Sequence, residues 1–334
     1  MLDFESFKDH VSEHIKEFLP EEYEYADISF QTVRKNNGKE LTGLTIKTDG
    51  CNIFPNIYLE QYYEDYAEHG MELDVCMEQI AKTELLHMDP PEEIRSVTEK
   101  FHDIDFIKSH VVISIVNAAK NEEMLKESPH KLTEDLAIIY RIYLGENGDG
   151  VGTIRVKNEH MKQWGLSLEE LHECAMENSN RIMPAKVQDM GSIMREMIGD
   201  AADTIIPEAP EDEMMFVISN DQKVGGAASI IYSDALERLS EKLGKDLYIL
   251  PSSVHETIAV PADLNSPEEL ARMVKEVNAT QVSLEEQLSD HVYKYDSLSK
   301  TLSIADTEGE EISMVSEKEN TYEAGEAYRP RHHR

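Results

Sequence analysis

The chain has 334 residues, 40% of them apolar, and sets 32 Lys and Arg against 67 Asp and Glu, for a net charge of −35 at pH 7. That length suits one large domain or two ordinary ones with a sizeable core. The charge argues against nucleic-acid and anionic-membrane partners, because phosphate affinity rests on cationic side chains that release counterions.

The opening, MLDFESFKDH, is acidic where an export signal needs a basic start and an apolar stretch. No apolar run approaches the ~20 residues that cross a bilayer. Cys51, Cys76 and Cys174 are far apart and form no CxxC pair, which suits a reducing compartment and no cysteine zinc site. A cytoplasmic protein without cofactor is expected. Phe4, Phe7, Val11, Ile15 and Phe18 recur at three- and four-residue steps, so residues 3–19 are predicted to form an amphipathic helix, ended by Pro20 and lying on a sheet. Alternation at Ile28, Phe30 and Thr32, the turn Asn36-Asn37-Gly38 and the return from Leu41 to Thr48 spell a hairpin. Residues 52–59, with Pro55, read as an edge strand before helical segments around Tyr62, Tyr63, Tyr66 and Leu73 to Leu86, and Pro90-Pro91 breaks what precedes.

Val111 to Val116 and Leu136 to Leu144 read as buried strands, and Thr153 to Lys157 as another beyond a glycine-rich turn. Ser167 and Glu170 form an S-x-x-E capping box that starts a helix at Leu168; the same pattern recurs at Ser266-Pro267-Glu268-Glu269 and Ser283-Leu284-Glu285-Glu286. An acidic loop is expected between residues 198 and 213. From Met214 the pattern reads strand, turn, strand (Ala227 to Tyr232), helix (Ser233 to Leu243), strand (Leu247 to Leu250), turn and strand (Thr257 to Val260). The class is α+β, with antiparallel or mixed sheets packed with amphipathic helices. Subdomains are expected over 1–125 and 126–305, followed by a disordered acidic tail over 306–334.

The most suggestive grouping is Ser252, Ser253, His255 and Glu256 in LPSSVHET, which holds the residue types of a hydrolytic triad. Its members are crowded into one strand-turn-strand, whereas a triad needs the base against the nucleophile and the acid behind the base, so a structural turn is the stronger expectation. His10 and His14 sit at i, i+4 on the first helix, a spacing that chelates metals, but no HExxH accompanies them and a solvated face is expected. Val224-Gly225-Gly226-Ala227 lacks the Gly-Lys-Ser/Thr ending of a phosphate loop and is read as a hairpin turn. Met190, Met194 and Met197 share a helix face and are expected to fill core.

The segments NNGKELTGLTI (36–46), PNIYLEQYYEDY (55–66), PHKLTEDLAIIYRI (129–142), HMKQWGLSLEELHECAMEN (160–178), GAASIIYSDALERLSEKLGKDLYILPSSVHETIAVP (226–261) and VNATQVSLEEQLSDHVYKYD (277–296) resemble an uncharacterised bacterial family, domain of unknown function 5688. Trp164 through Pro184, with the later YILP element, is distantly similar to domain of unknown function 1444. The resemblance implies a bacterial cytosolic protein and brings no reaction, cofactor or site residue. The leading expectation is therefore a non-enzymatic protein that binds an unknown protein partner through its acidic surface. The alternatives are a serine-type hydrolase using Ser252 or Ser253 with His255, and an acidic DNA mimic that occupies a DNA-binding protein. For the last, the charge divides evenly, −18 over residues 1–150 and −17 over 151–334, and the longest acidic run is Glu211-Asp212-Glu213.

Overall fold

The structure, a computed structural model, describes residues 1–48, 54–87, 100–147, 150–199, 210, 214–264 and 266–305. The expected tail over 306–334, Pro90-Pro91, Cys51 and most of the acidic loop lie outside these residues. The fold is α+β, and every strand pairing among the described residues is antiparallel.

The first apolar stripe forms α1 (Phe4–His14), continued by a 3-10 turn over Ile15–Phe18. Asp3 caps it, its Oδ1 accepting from Ser6 N at 2.8 Å, which satisfies one orphan amide of the first turn. The hairpin follows as β1 (Asp27–Arg34) and β2 (Glu40–Lys47), in register from Asp27↔Lys47 to Arg34↔Glu40. Asn37 and Gly38 supply the positive φ angles of its turn, 56° and 71°. A short β3 (Ile57–Tyr58) extends this sheet beyond β2, and α2 (Glu60–Ala67) and α3 (Leu73–His87) close over it. Phe7, Val11, Ile15, Leu44, Ile46, Ile57 and Ile80 are all buried in one apolar cluster. Glu84, on the inward face of α3, is fully buried, and among the described residues neither carboxylate oxygen has a hydrogen-bond partner. Burial pushes its pKa up to about 7.

A second sheet centres on the long strand β6 (Leu136–Asn147), with β4 (Val111–Asn117) on one side and β5 (His130–Thr133) then β7 (Gly150–Arg155) on the other. Around it lie α4 (Ile104–His110), α5 (Glu122–Lys126), α6 (Asn158–Trp164) and α7 (Leu168–Ile182). The Ser167–Glu170 capping box is complete: Ser167 Oγ accepts from Glu170 N at 3.2 Å and Glu170 Oε2 accepts from Ser167 N at 3.1 Å. Two buried polar residues of α7 stitch it to β4. Asn178 Nδ2 donates to Val111 O at 2.9 Å, and Ser179 Oγ accepts from Ile113 N at 2.8 Å.

The third sheet has six strands in the order β13-β12-β10-β11-β9-β8. They are β8 (Ala185–Asp189), β9 (Phe216–Asn220), β10 (Leu247–Leu250), β11 (Thr257–Pro261), β12 (Tyr293–Asp296) and β13 (Thr301–Ile304). Interspersed are α8 (Met190–Ile198), α9 (Ser229–Tyr232), α10 (Ala235–Leu243) and α11 (Pro267–Thr280). Period-2 alternation divides the strand residues between two faces. Leu247, Ile249, Ala259, Phe216 and Ile218 share a cluster with Leu236 and Leu239 of α10, whereas Leu250 and Val260 pack with Leu270, Ala271 and Val274 of α11.

The β1–β2 turn reaches across to this body. Asn37 Nδ2 donates to Leu284 O and Gln287 O at 2.7 Å each, Asn37 N donates to Asn121 Oδ1 at 2.9 Å, and Asn36 Nδ2 donates to Glu285 O at 2.8 Å.

Three local expectations are corrected. Ala227 to Tyr232 is helical, a 3-10 turn over Gly226–Ala228 leading into α9. Its apolar residues are buried on several sides, and periodicity does not separate a short buried helix from a buried strand. Ser283-Leu284-Glu285-Glu286 starts no helix: it makes one turn, with Glu286 N on Ser283 O at 2.9 Å, before the backbone joins the 251–254 segment. Met190, Met194 and Met197 fill no core, since α8 buries none of its residues.

Candidate functional site

The LPSSVHET segment links β10 to β11, and its backbone is held from two sides. Ser289 N donates to Pro251 O at 2.9 Å, Leu288 N to Ser252 O at 3.1 Å, Val254 N to Glu286 O at 2.8 Å, and Ala227 N to Val254 O at 3.2 Å. The side chains serve the same turn. Ser253 Oγ accepts from His255 N at 3.0 Å, and His255 Nδ1 accepts from Gly225 N at 3.2 Å. That acceptor role places the imidazole proton on Nε2, which lies 3.5 Å from Glu286 Oε1. Among the described residues neither Ser252 nor Ser253 hydrogen bonds the imidazole, and the acid beside the ring is Glu286, whereas Glu256 is exposed. The turn thus carries the local bonding of a structural element.

The glycine pair belongs to this assembly. Gly225 takes φ 63°, and a Cβ on Gly226 would lie 2.6 Å from His255 O and 2.7 Å from Asn220 N, and closer still to Ser219 Oγ. The amides of Gly225 and Ala227 already serve protein acceptors, His255 Nδ1 for the first and Val254 O for the second. Gly226→Ala is expected to destabilise the protein by about 1–3 kcal/mol, the usual penalty for overpacking, because two of the three neighbours are backbone. A urea midpoint equal to that of the parent would contradict this.

His10 and His14 stack with ring centroids 4.5 Å apart, and His14 Nδ1 lies 2.7 Å from Glu17 Oε1. Among the described residues no group of three or more His, Cys, Asp and Glu is placed to hold a metal ion. Likewise, no helix among them is long and apolar enough to cross a membrane.

A concavity lined largely by apolar side chains lies beside α11. Ser266 caps this helix, its Oγ accepting from Glu269 N at 3.4 Å, and Pro267 occupies the first turn. Ala271 and Val274 turn down to the sheet and are buried. On the next flank of the same helix Met273 is 54% exposed and Val277 40% exposed. Across from them stand Ile258 and Val260 of β11, with the exposed Leu264 and Met215 at the ends. The groove between has a volume of about 520 Å³, and Ser252 contributes to its wall. Glu269 and Glu276, both exposed, lie one turn to either side of Met273 on the outward flank of the helix, and Glu269 Oε1 is 3.9 Å from Arg272 Nη2.

The sequence profile of one family, described as a family of unknown function (DUF5688), matches residues 4–297. The chain belongs to this family. No curated protein and no solved structure matches it. The DUF5688 unit thus takes in the N-terminal apolar cluster, the 251–256 turn and the α11 groove within one match. Of the residues singled out in the sequence, Ser252, Ser253, His255 and Glu256 share one turn, while His10 and His14 lie on α1. Sequence reasoning missed Met215, Leu264, Met273 and Val277. For Met273 and Val277 the signal was an α11 stripe too wide for one buried face, with Leu270, Met273, Val274 and Val277 all apolar. It also missed Asp135, whose Oδ2 accepts from Ser289 Oγ at 2.7 Å and whose Oδ1 accepts from the Tyr293 hydroxyl, joining the second sheet to the third. Burial, reinforced by Asp135, holds the Tyr293 phenol protonated well above its usual range.

Proposed function

We propose that this DUF5688 protein is a non-enzymatic binding protein of the bacterial cytoplasm, and that its α11 groove receives the apolar face of a basic amphipathic helix from a partner protein. The observation that carries the reading is the exposure of Met215, Leu264, Met273 and Val277 around one concavity of about 520 Å³. Exposed apolar residues gathered in a groove mark interaction surfaces, and methionine side chains adapt to varied occupants. The rim formed by Glu269 and Glu276, on a chain of net charge −35, favours a cationic partner. The Ser253 hydroxyl and the His255 imidazole support the same reading, since both are engaged in holding the backbone.

The test is titration with a synthetic 14-residue helical peptide of leucine and lysine, beside a non-amphipathic lysine–glycine peptide of equal charge. The amphipathic peptide should bind more tightly, and Met273→Glu should weaken it at least tenfold while leaving the control peptide unaffected. Equal binding of the two peptides, or indifference to Met273→Glu, would refute the groove reading. Labelling of Ser252 or Ser253 by a fluorophosphonate probe, lost in His255→Ala, would replace it with the hydrolase.

A further inference from the structure

Strand β8 ends the six-stranded sheet and, among the described residues, pairs only with β9. The phase of its ladder follows from one bond just past the strand, Met190 N to Met215 O at 2.9 Å, which continues the β8–β9 register. In an antiparallel ladder the paired residues alternate. Lys186 and Gln188 therefore spend their backbone groups on Ser219 and Val217 of β9, and Ala185 and Val187 direct theirs to the free edge, while the carbonyl of Asp189, as N-cap, serves the first turn of α8.

An unpaired edge is ordinary in itself, and sheets commonly guard one with a lysine such as Lys186. What distinguishes β8 is its setting. All five of its residues line one side of a cleft of about 640 Å³, and the other side is a single face of α10: Ala235, Arg238, Leu239 and Lys242, at i, i+3, i+4 and i+7. The cleft lies beside the outward backbone groups of β8, and a strand added there would sit about 4.8 Å from β8. The wall also carries charge of the less common sign for this protein. Arg238 is 61% exposed, with Nε 3.0 Å from Asp234 Oδ1, and Lys242 lies one turn further along. The acids in the cleft are engaged at the α8 end: Asp189 caps α8 through Ser192, at 2.8 Å to its N and 2.6 Å to its Oγ, and Glu196 accepts from Gln188 Nε2 at 3.0 Å.

We infer that the cleft between α10 and β8 binds an extended acidic segment of another protein by strand addition. The backbone of that segment pairs with Ala185 and Val187, and its alternate side chains turn to α10, where acids meet Arg238 and Lys242. This site lies apart from the α11 groove and does not depend on the reading given for it.

The probe is the heptapeptide acetyl-Glu-Val-Glu-Val-Glu-Val-Glu-amide, titrated onto the full chain labelled with ¹⁵N-valine. It should shift the Val187 amide resonance. The counterpart with lysine for glutamate should bind more weakly, although the net charge of −35 attracts it, so the comparison separates the local wall from the overall field. N-methylation at every second peptide bond should lower affinity at least tenfold in one of the two possible phases, because it removes donors from the pairing edge. Val187→Pro deletes one outward N–H and leaves the β9 ladder whole, as proline does at a free edge, and should also lower affinity at least tenfold with an unchanged thermal midpoint. Arg238→Glu with Lys242→Glu should do the same. The inference fails if the acidic peptide does not perturb Val187 at millimolar concentration, if the lysine peptide binds as well, or if neither phase of N-methylation weakens binding. Should Val187→Pro lower the thermal midpoint, the charge-reversal pair and the methylated peptides decide the matter.

Discussion

Leu239→Ala should lower the stability of this protein by about 2–5 kcal/mol, the range for truncating a buried leucine whose site collapses only in part. Leu239 is 4% exposed and belongs to the cluster that holds Phe216, Ile218, Leu247, Ile249 and Ala259, so the helical layer loses a contact made to several strands at once. The neighbouring Leu236 and Ala235 are fixed by the same helix and offer little freedom to refill the space. Urea denaturation followed by circular dichroism measures the effect. A midpoint unchanged from the parent would mean that α10 is not held by this face.

Glu84→Gln should have the opposite sign and depend on pH. A glutamate near 4.5 in the unfolded chain and near 7 in the folded one binds more protons when folded over the interval between. Its contribution is fully present below about pH 4.5 and is lost as pH rises to about 7, because above that the buried group must ionise without a partner. The difference of about 2.5 units corresponds to about 3 kcal/mol. Glutamine is neutral at every pH, so the variant should match the parent near pH 4.5 and exceed it by about 3 kcal/mol above pH 8. Denaturation at those two pH values tests this, and a constant difference between variant and parent would show that ionisation is not the cause.

The sequence revealed most where a local chemical rule speaks at a known position. Ser167 with Glu170 announced the start of α7, Pro267 that of α11, and Asn37-Gly38 the turn of the first hairpin. It misled where the rule was necessary but not sufficient. Ser283 to Glu286 has the capping chemistry, yet no helix grows because the following backbone is taken by Ser252 and Val254. At Ala227 to Tyr232 the residue types favour a strand, and tertiary burial decides for helix. Of the candidate site, the 251–256 turn was legible as a turn. The α11 groove was not, because it depends on Met215 and Leu264 being brought beside Met273 from distant positions. The pairing phase of β8 is likewise a property of the ladder and leaves no mark in composition.

The bonds made by Asn36 and Asn37 have a thermodynamic corollary. The N-terminal cluster, from Phe7 to Ala81, shares no residue with the cluster that runs from Ile107 to Tyr295. The hairpin tip meets the 284–287 backbone and Asn121 through amide and peptide groups, which water satisfies nearly as well once they part. Breaking such a junction exposes little oil-like surface, so its free energy lies far below that of melting either cluster. Parting the hairpin tip from the 284–287 backbone is thus expected to break polar bonds, the Lys39–Glu285 ion pair at 3.4 Å among them, and to leave each apolar interior covered.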